Sequence, residues 1–413
     1  MTSTPPAQME ASPPSHNLQV LATRNFLVGL RMNMMRAIWQ PFVLHLGASM
    51  SLLGLLESIG GFGGIVSAAT LPVGGWLSDR RGRKPFVILA NVFAFASLCI
   101  FVLAAWLREW RLLLPGVVLS GLTAIARPVA DAMIAESATP SARGRAFSLV
   151  GMAFAASGVF APALGGLLAE RYGFLATLLL GAVLEVFTLG LLVTRLRETL
   201  ATNGGTAAAS DFFGLLRGIL TPPAGLRSFY VAVTIDMFAY GTGAAILPGL
   251  LTEAYDFTPF QLGFMSSITA AAWAISQMFF GRKVDRHGCV PFLILSEVLG
   301  VLVTGGWLAA RSFEAFAVLG ILNGLVPATW VPAFLAWIAN SVPENQRAEE
   351  IGRLGAFRGL LSFPAPYVGG LLYEAVGFKG PILANLIGAA MVAVLLWLLV
   401  GEPRSCGVEP GEQ

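Results

Sequence analysis

Asn33, Arg36 and Gln40 lie three and four residues apart inside an otherwise apolar run, Phe26 to Leu46, so a helix turns all three to one side. Arg127 and Asp131 stand four apart in the run Leu112 to Ala135, and Asp236 precedes Tyr240 by about one turn in Tyr230 to Leu251. Asn323 and Trp330 fall in Ala315 to Ala339. An ionisable group in such surroundings costs roughly 2.5–3.5 kcal/mol on insertion scales, so each marks a candidate site. These residue types suit ion binding and proton carriage. Arg36 and Arg127 would meet an anionic or strongly polar group. Asp131 or Asp236 would carry a proton, held while buried and released on access to water. A plainer reading stands beside this one: Arg127 and Asp131 neutralise each other, and Arg36 does the same for Asp236. Arg31, about one turn inside its run, is expected to snorkel to the interface, and Glu57 to be wetted at the end of its run. Glu185, Glu297 and Arg358 are left without an assigned role.

Groups of this kind need a scaffold that encloses them. Of the 413 residues 56% are hydrophobic and 12% charged, about half the charge of a soluble domain, and the mean hydropathy is +0.74. Apolar runs of ~20 residues match the ~30 Å hydrocarbon layer, where only helices or closed barrels satisfy the backbone. The runs are continuous, not alternating, which selects helices over a barrel. The expected fold is an all-α membrane protein of twelve transmembrane helices in two pseudo-symmetric six-helix bundles. Its expected parts are a disordered tail over residues 1–23, a first bundle over 24–195, a linker over 196–227 containing ATNGGTAAAS, a second bundle over 228–400, and a tail over 401–413. With both termini on the cytoplasmic side, seventeen of the 26 Lys and Arg fall inside, five outside and four within spans, the asymmetry that sets topology.

The halves repeat. GGWLSDRRGRK around Asp79 recurs as GRKVDRHGC around Asp285, and APALGGLLAERYGF recurs as APYVGGLLYEAVGF, at offsets of 206 and 204 residues. Two independent matches at nearly one offset indicate a duplicated six-helix unit. With its G-x-x-x-D-R-x-G-R-K loop at Gly75, Asp79, Arg80, Gly82, Arg83 and Lys84, the chain resembles the major facilitator superfamily of secondary transporters, in particular its drug/proton antiporter-like branch. The second copy keeps Gly281, Asp285, Arg286 and Gly288 but has Cys289 and Val290 in place of the basic pair. The resemblance implies that this loop latches the halves in the outward-facing state. Glu136 would be the acid that engages a basic residue, giving an inner gate of Gly75, Asp79, Arg80, Gly82, Arg83 and Glu136 with Asp285 and Arg286 in the second copy. Asn340 stands where Glu136 would repeat, which makes the latch asymmetric. Gly75 is expected to permit close helix approach, and Gly82 to take a positive φ. The resemblance also implies that spans one, four, seven and ten line the cavity, which would then contain Asn33, Arg36, Gln40, Arg127, Tyr240, Asn323 and Trp330. In span five SGVFAPALGG keeps part of an antiporter motif. Pro162, Gly165 and Gly166, with Pro366, Gly369 and Gly370 in span eleven, would be hinges common to both halves.

The expected function is secondary active transport of a small organic solute by alternating access, proton-coupled and preferring export. Uptake of an organic anion is the alternative within transport, and a non-transporting membrane sensor the alternative outside it. An enzyme finds no support: His16, His45 and His287 are scattered, and neither a GxSxG elbow nor an HExxH helix occurs. Without a GxxxxGK[ST] loop the energy source would be a proton gradient, with no cofactor. Cys99, Cys289 and Cys406 lie far apart and suggest neither a disulfide framework nor a metal cluster. No sustained basic face suits nucleic acid. The expected partners are a small-molecule substrate, protons and the lipid bilayer, around a monomer in the plasma or inner membrane.

Overall fold

Runs this long and apolar satisfy their backbone groups only by coiling. The computed structural model describes residues 16–61, 63–139, 142–200, 221–343 and 347–403, with backbone alone at 285, 348 and 349. In chain order its helices are α1 (His16–His45), α2 (Met50–Gly60), α3 (Ile65–Arg81), α4 (Lys84–Leu107), α5 (Leu113–Leu122), α6 (Ala126–Glu136), α7 (Arg143–Tyr172) and α8 (Phe174–Arg195). Then come α9 (Arg227–Thr242), α10 (Leu247–Tyr255), α11 (Pro259–His287), α12 (Val290–Ala309), α13 (Phe313–Ser341), α14 (Arg347–Ser362), α15 (Ala365–Val376) and α16 (Lys379–Leu399). They make twelve passes, because α2–α3, α5–α6, α9–α10 and α14–α15 each form one interrupted pass. Among the described residues, nine stretches are apolar and long enough to cross a membrane by length and composition. One that falls short is α1, loaded with Arg24, Arg31 and Arg36.

The interruptions have local causes. The GGFGG run breaks α2 from α3, with Gly63 at φ +85°. The 3-10 turn Thr123–Ile125 precedes Pro128, which has no amide for the carbonyl four residues back. Gly243 and the 3-10 turn Ala244–Ile246 separate α9 from α10, and Pro364 and Pro366 mark the α14–α15 break. The duplication is visible in the turns as well. Gly82 and Gly288, at φ +95° and +91°, end α3 and α11, while Gly173 and Gly377, at +82° and +73°, end α7 and α15.

One of the expected boundaries falls differently. Helix α1 begins at His16, inside the stretch expected to be a disordered tail. Leu18 and Leu21 are buried there, Asn17 exchanges two hydrogen bonds with the backbone of Arg197, and His16 bonds the Arg195 carbonyl. Residues 1–15, the ATNGGTAAAS stretch of the linker and residues 404–413 lie outside the described residues.

The Arg-rich loops all open on one side, called here the basic side. On the far side the halves are joined: α7 crosses α11 and α2 crosses α15. Backbones touch there because side chains are missing, Gly166 and Gly263 facing the carbonyls of Pro259 and Pro162, and Gly54 and Gly370 those of Pro366 and Met50. One apolar core runs through both halves on this side, from Phe42 and Leu53 to Leu250, Phe257 and Phe316. Toward the basic side the core divides. One cluster holds first-half residues such as Leu21, Val87, Met133 and Leu192, and another holds second-half residues such as Phe229, Leu293, Trp337 and Leu396. The halves therefore meet on the far side and part on the basic side.

Candidate functional site

On the basic side, the turn between α3 and α4 concentrates charge where two helices end. Arg83 Nη1 lies 2.9 Å from Asp79 Oδ1, its Nε donates to both Glu136 oxygens at 2.9 Å, and its Nη2 is 2.7 Å from Glu136 Oε1. A guanidinium fork matches a carboxylate in this way, and such paired bonds are stronger than neutral ones. Arg80 instead stacks over Trp76, 3.9 Å from the ring centroid. Gly82 takes the expected positive φ. Gly75 does not make the close approach assigned to it, since a Cβ there would meet Pro128 at 3.9 Å. The neighbouring Gly74 does so, packed on the Ile125 carbonyl where the 3-10 turn of the fourth pass bulges toward α3. In the second copy Arg286 is exposed and the Asp285 side chain lies outside the described atoms. Arg347 donates to the Ala339 carbonyl there, as Arg143 does to Ala135 in the first half.

Two acids that sequence reasoning passed over complete this side. Glu198, just past α8, accepts the backbone amides of Arg83 and Lys84 at 2.9 and 3.0 Å, and Thr199 Oγ1 donates to Glu136 at 2.7 Å. Glu402, just past α16, accepts the amides of Cys289 and Val290. Both carboxylates cap a helix N-terminus. Their separation equals the 204-residue offset of the APALGG repeat, the signal that could have found them. Partial burial pushes the Glu198 carboxyl up, but the amides of Leu200, Arg83, Lys84 and Thr199 outweigh it and hold the group below the usual carboxylate range.

At mid-membrane, the charges sort by half. Asp131 on α6 lies in electrostatic range of Arg127 and Arg24. Asp236 on α9 faces Arg358 of α14 and Glu297 of α12, and Arg358 is in range of Arg127 across the two halves. The Arg358 guanidinium lies 5.3 Å from the Phe334 ring, on which Trp330 stacks at 6.1 Å. Arg358 and Glu297, left without a role by sequence, thus join Asp236 in one constellation, and the pairing of Arg36 with Asp236 does not occur. Exposed Arg36 is in range of Glu57. Tyr240 is 41% exposed, and Asn323 is half-buried.

The first half departs from expectation at Arg31 and Gln40. Arg31 does not snorkel: its Nε is 2.8 Å from Oε2 of Glu185, which is fully buried in α8 and holds the nearest cation. Asn33 is bonded to Ser157 of α7 at 3.1 Å and to the Gly29 carbonyl at 2.9 Å. Gln40 does not line a cavity. It is 5% exposed and reaches the second half on the far side. The Pro and Gly residues expected to be hinges differ between copies: α7 continues through Pro162, whereas the eleventh pass breaks ahead of Pro366. Gly165 packs on Met34, Gly369 on the Thr242 carbonyl, and Gly166 and Gly370 lie at the far-side crossings.

Paired charges inside a duplicated helical bundle, with halves parted on one side only, suit the passage of a solute and not the breaking of bonds. The sequence profile of the Major Facilitator Superfamily matches residues 21–242 and again 228–413. The chain belongs to the major facilitator superfamily. It is a multi-pass membrane transporter, not an enzyme. Relatives include the multidrug resistance protein MdtG of Serratia proteamaculans, 24% identical over 81% of this chain and 80% of that protein. The class G tetracycline resistance protein of Vibrio anguillarum is 27% identical over 86% and 87%. Among solved structures, a bacterial homologue of the lysosomal transporter Spinster, inward-facing and unoccupied, superposes with a TM-score of 0.73 at 15% identity, covering 97% of this chain and all of that one. The human organic anion transporter MFSD10 gives 0.65 at 19% identity over 93% and 100%. These likenesses are to the shared fold.

Proposed function

We propose that the chain is a proton-coupled exporter of small organic solutes that works as a monomer by alternating access, with the basic side and both termini in the cytoplasm of a plasma or inner membrane. The observation that carries this reading is the facing arrangement of Asp131 with Arg127 and Asp236 with Arg358, one pair from each half, with the two arginines in range of each other. A carboxylate so placed holds a proton while sealed from water and gives it up when its side opens, and its arginine then neutralises the charge left behind. The names of the multidrug and tetracycline relatives support export. Residues 24–195 and 228–400 act as the two rocking halves, and the separated cores correspond to an inward-facing state. Asp79, Arg83 and Glu136 form the inner gate, with Gly82 shaping its turn. Their described bonds stay within the first half and the start of the linker, as expected while that gate is open. The proton gradient supplies the energy, with no cofactor.

The test uses purified protein in liposomes that enclose a pH-sensitive dye, challenged with tetracycline and with amphipathic cations and anions. Proton movement that depends on an added compound is expected for the native chain and is lost in Asp131→Asn or Asp236→Asn. Compound-dependent proton movement unchanged in both variants would remove these residues from the coupling.

A further inference from the structure

A side chain of the first half sits inside a helical hydrogen bond of the second. In an unbroken helix the amide of Gly249 would donate to the carbonyl of Ala245, four residues earlier. Here the Gly249 amide donates to Gln40 Oε1 at 2.8 Å, and Gln40 Nε2 donates to the Ala245 carbonyl at 2.7 Å. A carboxamide offers a donor beside an acceptor, the same pair a peptide group offers, so Gln40 fits between the two backbone groups in one orientation only. Its second Nε2 hydrogen goes to Glu57 Oε1 on α2 at 3.0 Å, which holds the amide in line from its own half. The α9–α10 junction is open where Gln40 enters, between the 3-10 turn Ala244–Ile246 and a helix whose first turn contains Pro248, with no amide to give.

We propose that Gln40 is the latch of the outer gate and that it works by exchange of partners. When the halves part on the outer side, the carboxamide withdraws and the Gly249 amide takes up the Ala245 carbonyl, so α9 and α10 join into a more continuous helix. Neither state leaves a backbone group unsatisfied inside the membrane, which would cost several kcal/mol. The junction is then a two-state element whose choice follows the position of the opposite half. This inference rests on alternating access but not on the identity of solute or coupling ion, and its test needs neither.

Spin labels at Tyr172→Cys and Val376→Cys, exposed near the outer ends of α7 and α15, on a background without native cysteines, report the outer distance by pulsed electron spin resonance. Gln40→Met keeps the length and removes the hydrogen bonds. Gln40→Asn keeps the chemistry and loses the reach, so a folding failure of the first leaves the second to decide. Both are expected to raise the ratio of outward-open to inward-open molecules by about tenfold, the factor for ~1.4 kcal/mol. Amide exchange at Gly249 is expected to stay slow as they open, because the helical bond replaces the latch. A distance distribution like that of the native chain in both variants overturns the proposal. So does exchange at Gly249 that accelerates in step with opening.

Discussion

Glu185 illustrates how little of a buried pair is written locally. It lies in α8, fully enclosed, and its partner Arg31 is on α1, 2.8 Å away in space. Span and spacing place Arg31 about one turn inside the membrane, where a lone arginine snorkels. Only the packing of α1 on α8 reveals a closer acid. The same holds for Gln40, readable as one polar residue on a helix face but not as the neighbour of Ala245 and Gly249. Removing one member of a buried ion pair strands the other and costs about 3–5 kcal/mol, whereas replacing both with apolar residues is often near neutral. Arg31→Met and Glu185→Leu alone are therefore each expected to lower the thermal unfolding midpoint in detergent by several degrees. The double variant should recover most of the loss. Additive losses in the double variant would show that the two residues do not act as a pair.

The elements that hold the proposed inner gate are tied by acids that follow the last helix of each half. Glu198 fixes the start of α4, and with it the backbone of Arg83, while Thr199 reaches Glu136. The start of the linker is therefore bonded to the gate at two points. The Glu198 carboxyl is held below its ordinary value of 4.5, so it contributes stability above that pH and loses it as pH falls through the lower, folded value. The unfolding midpoint of the native chain is expected to drop more between about pH 5 and 3 than that of Glu198→Gln, measured side by side. Parallel pH profiles would contradict a structural role for the charge. The motif around Asp79 was legible because it is a dense polar knot in apolar sequence, and Glu136 followed from the resemblance. Glu198 and Glu402 were not seen, since single acids beside a linker look like solvated charges until their offset is set against that of the repeats. Gly74 escaped for a related reason: which of two adjacent glycines touches the fourth pass depends on helix rotation, which the pattern does not fix.

Across the whole molecule, the twelve passes and the six-plus-six duplication follow from run length and the 204- and 206-residue offsets. The interruptions at Gly243 and Pro364 did not, because glycine and proline inside a membrane helix are compatible with either a kink or a continuous pass, and α7 runs on through Pro162. Nor could sequence say which side is closed. That is decided by one apolar core shared on the far side and two separate ones on the basic side. The conformation, the facing arginine–carboxylate pairs and the gate together make direction the central claim: protons enter as solute leaves. Inside-out membrane vesicles test it most directly, with the lumen made acid and a tetracycline or fluorescent amphiphile added outside. Accumulation in the lumen that collapses when the pH difference is dissipated is the expected result. Accumulation indifferent to that dissipation, or driven only by an alkaline lumen, would contradict it.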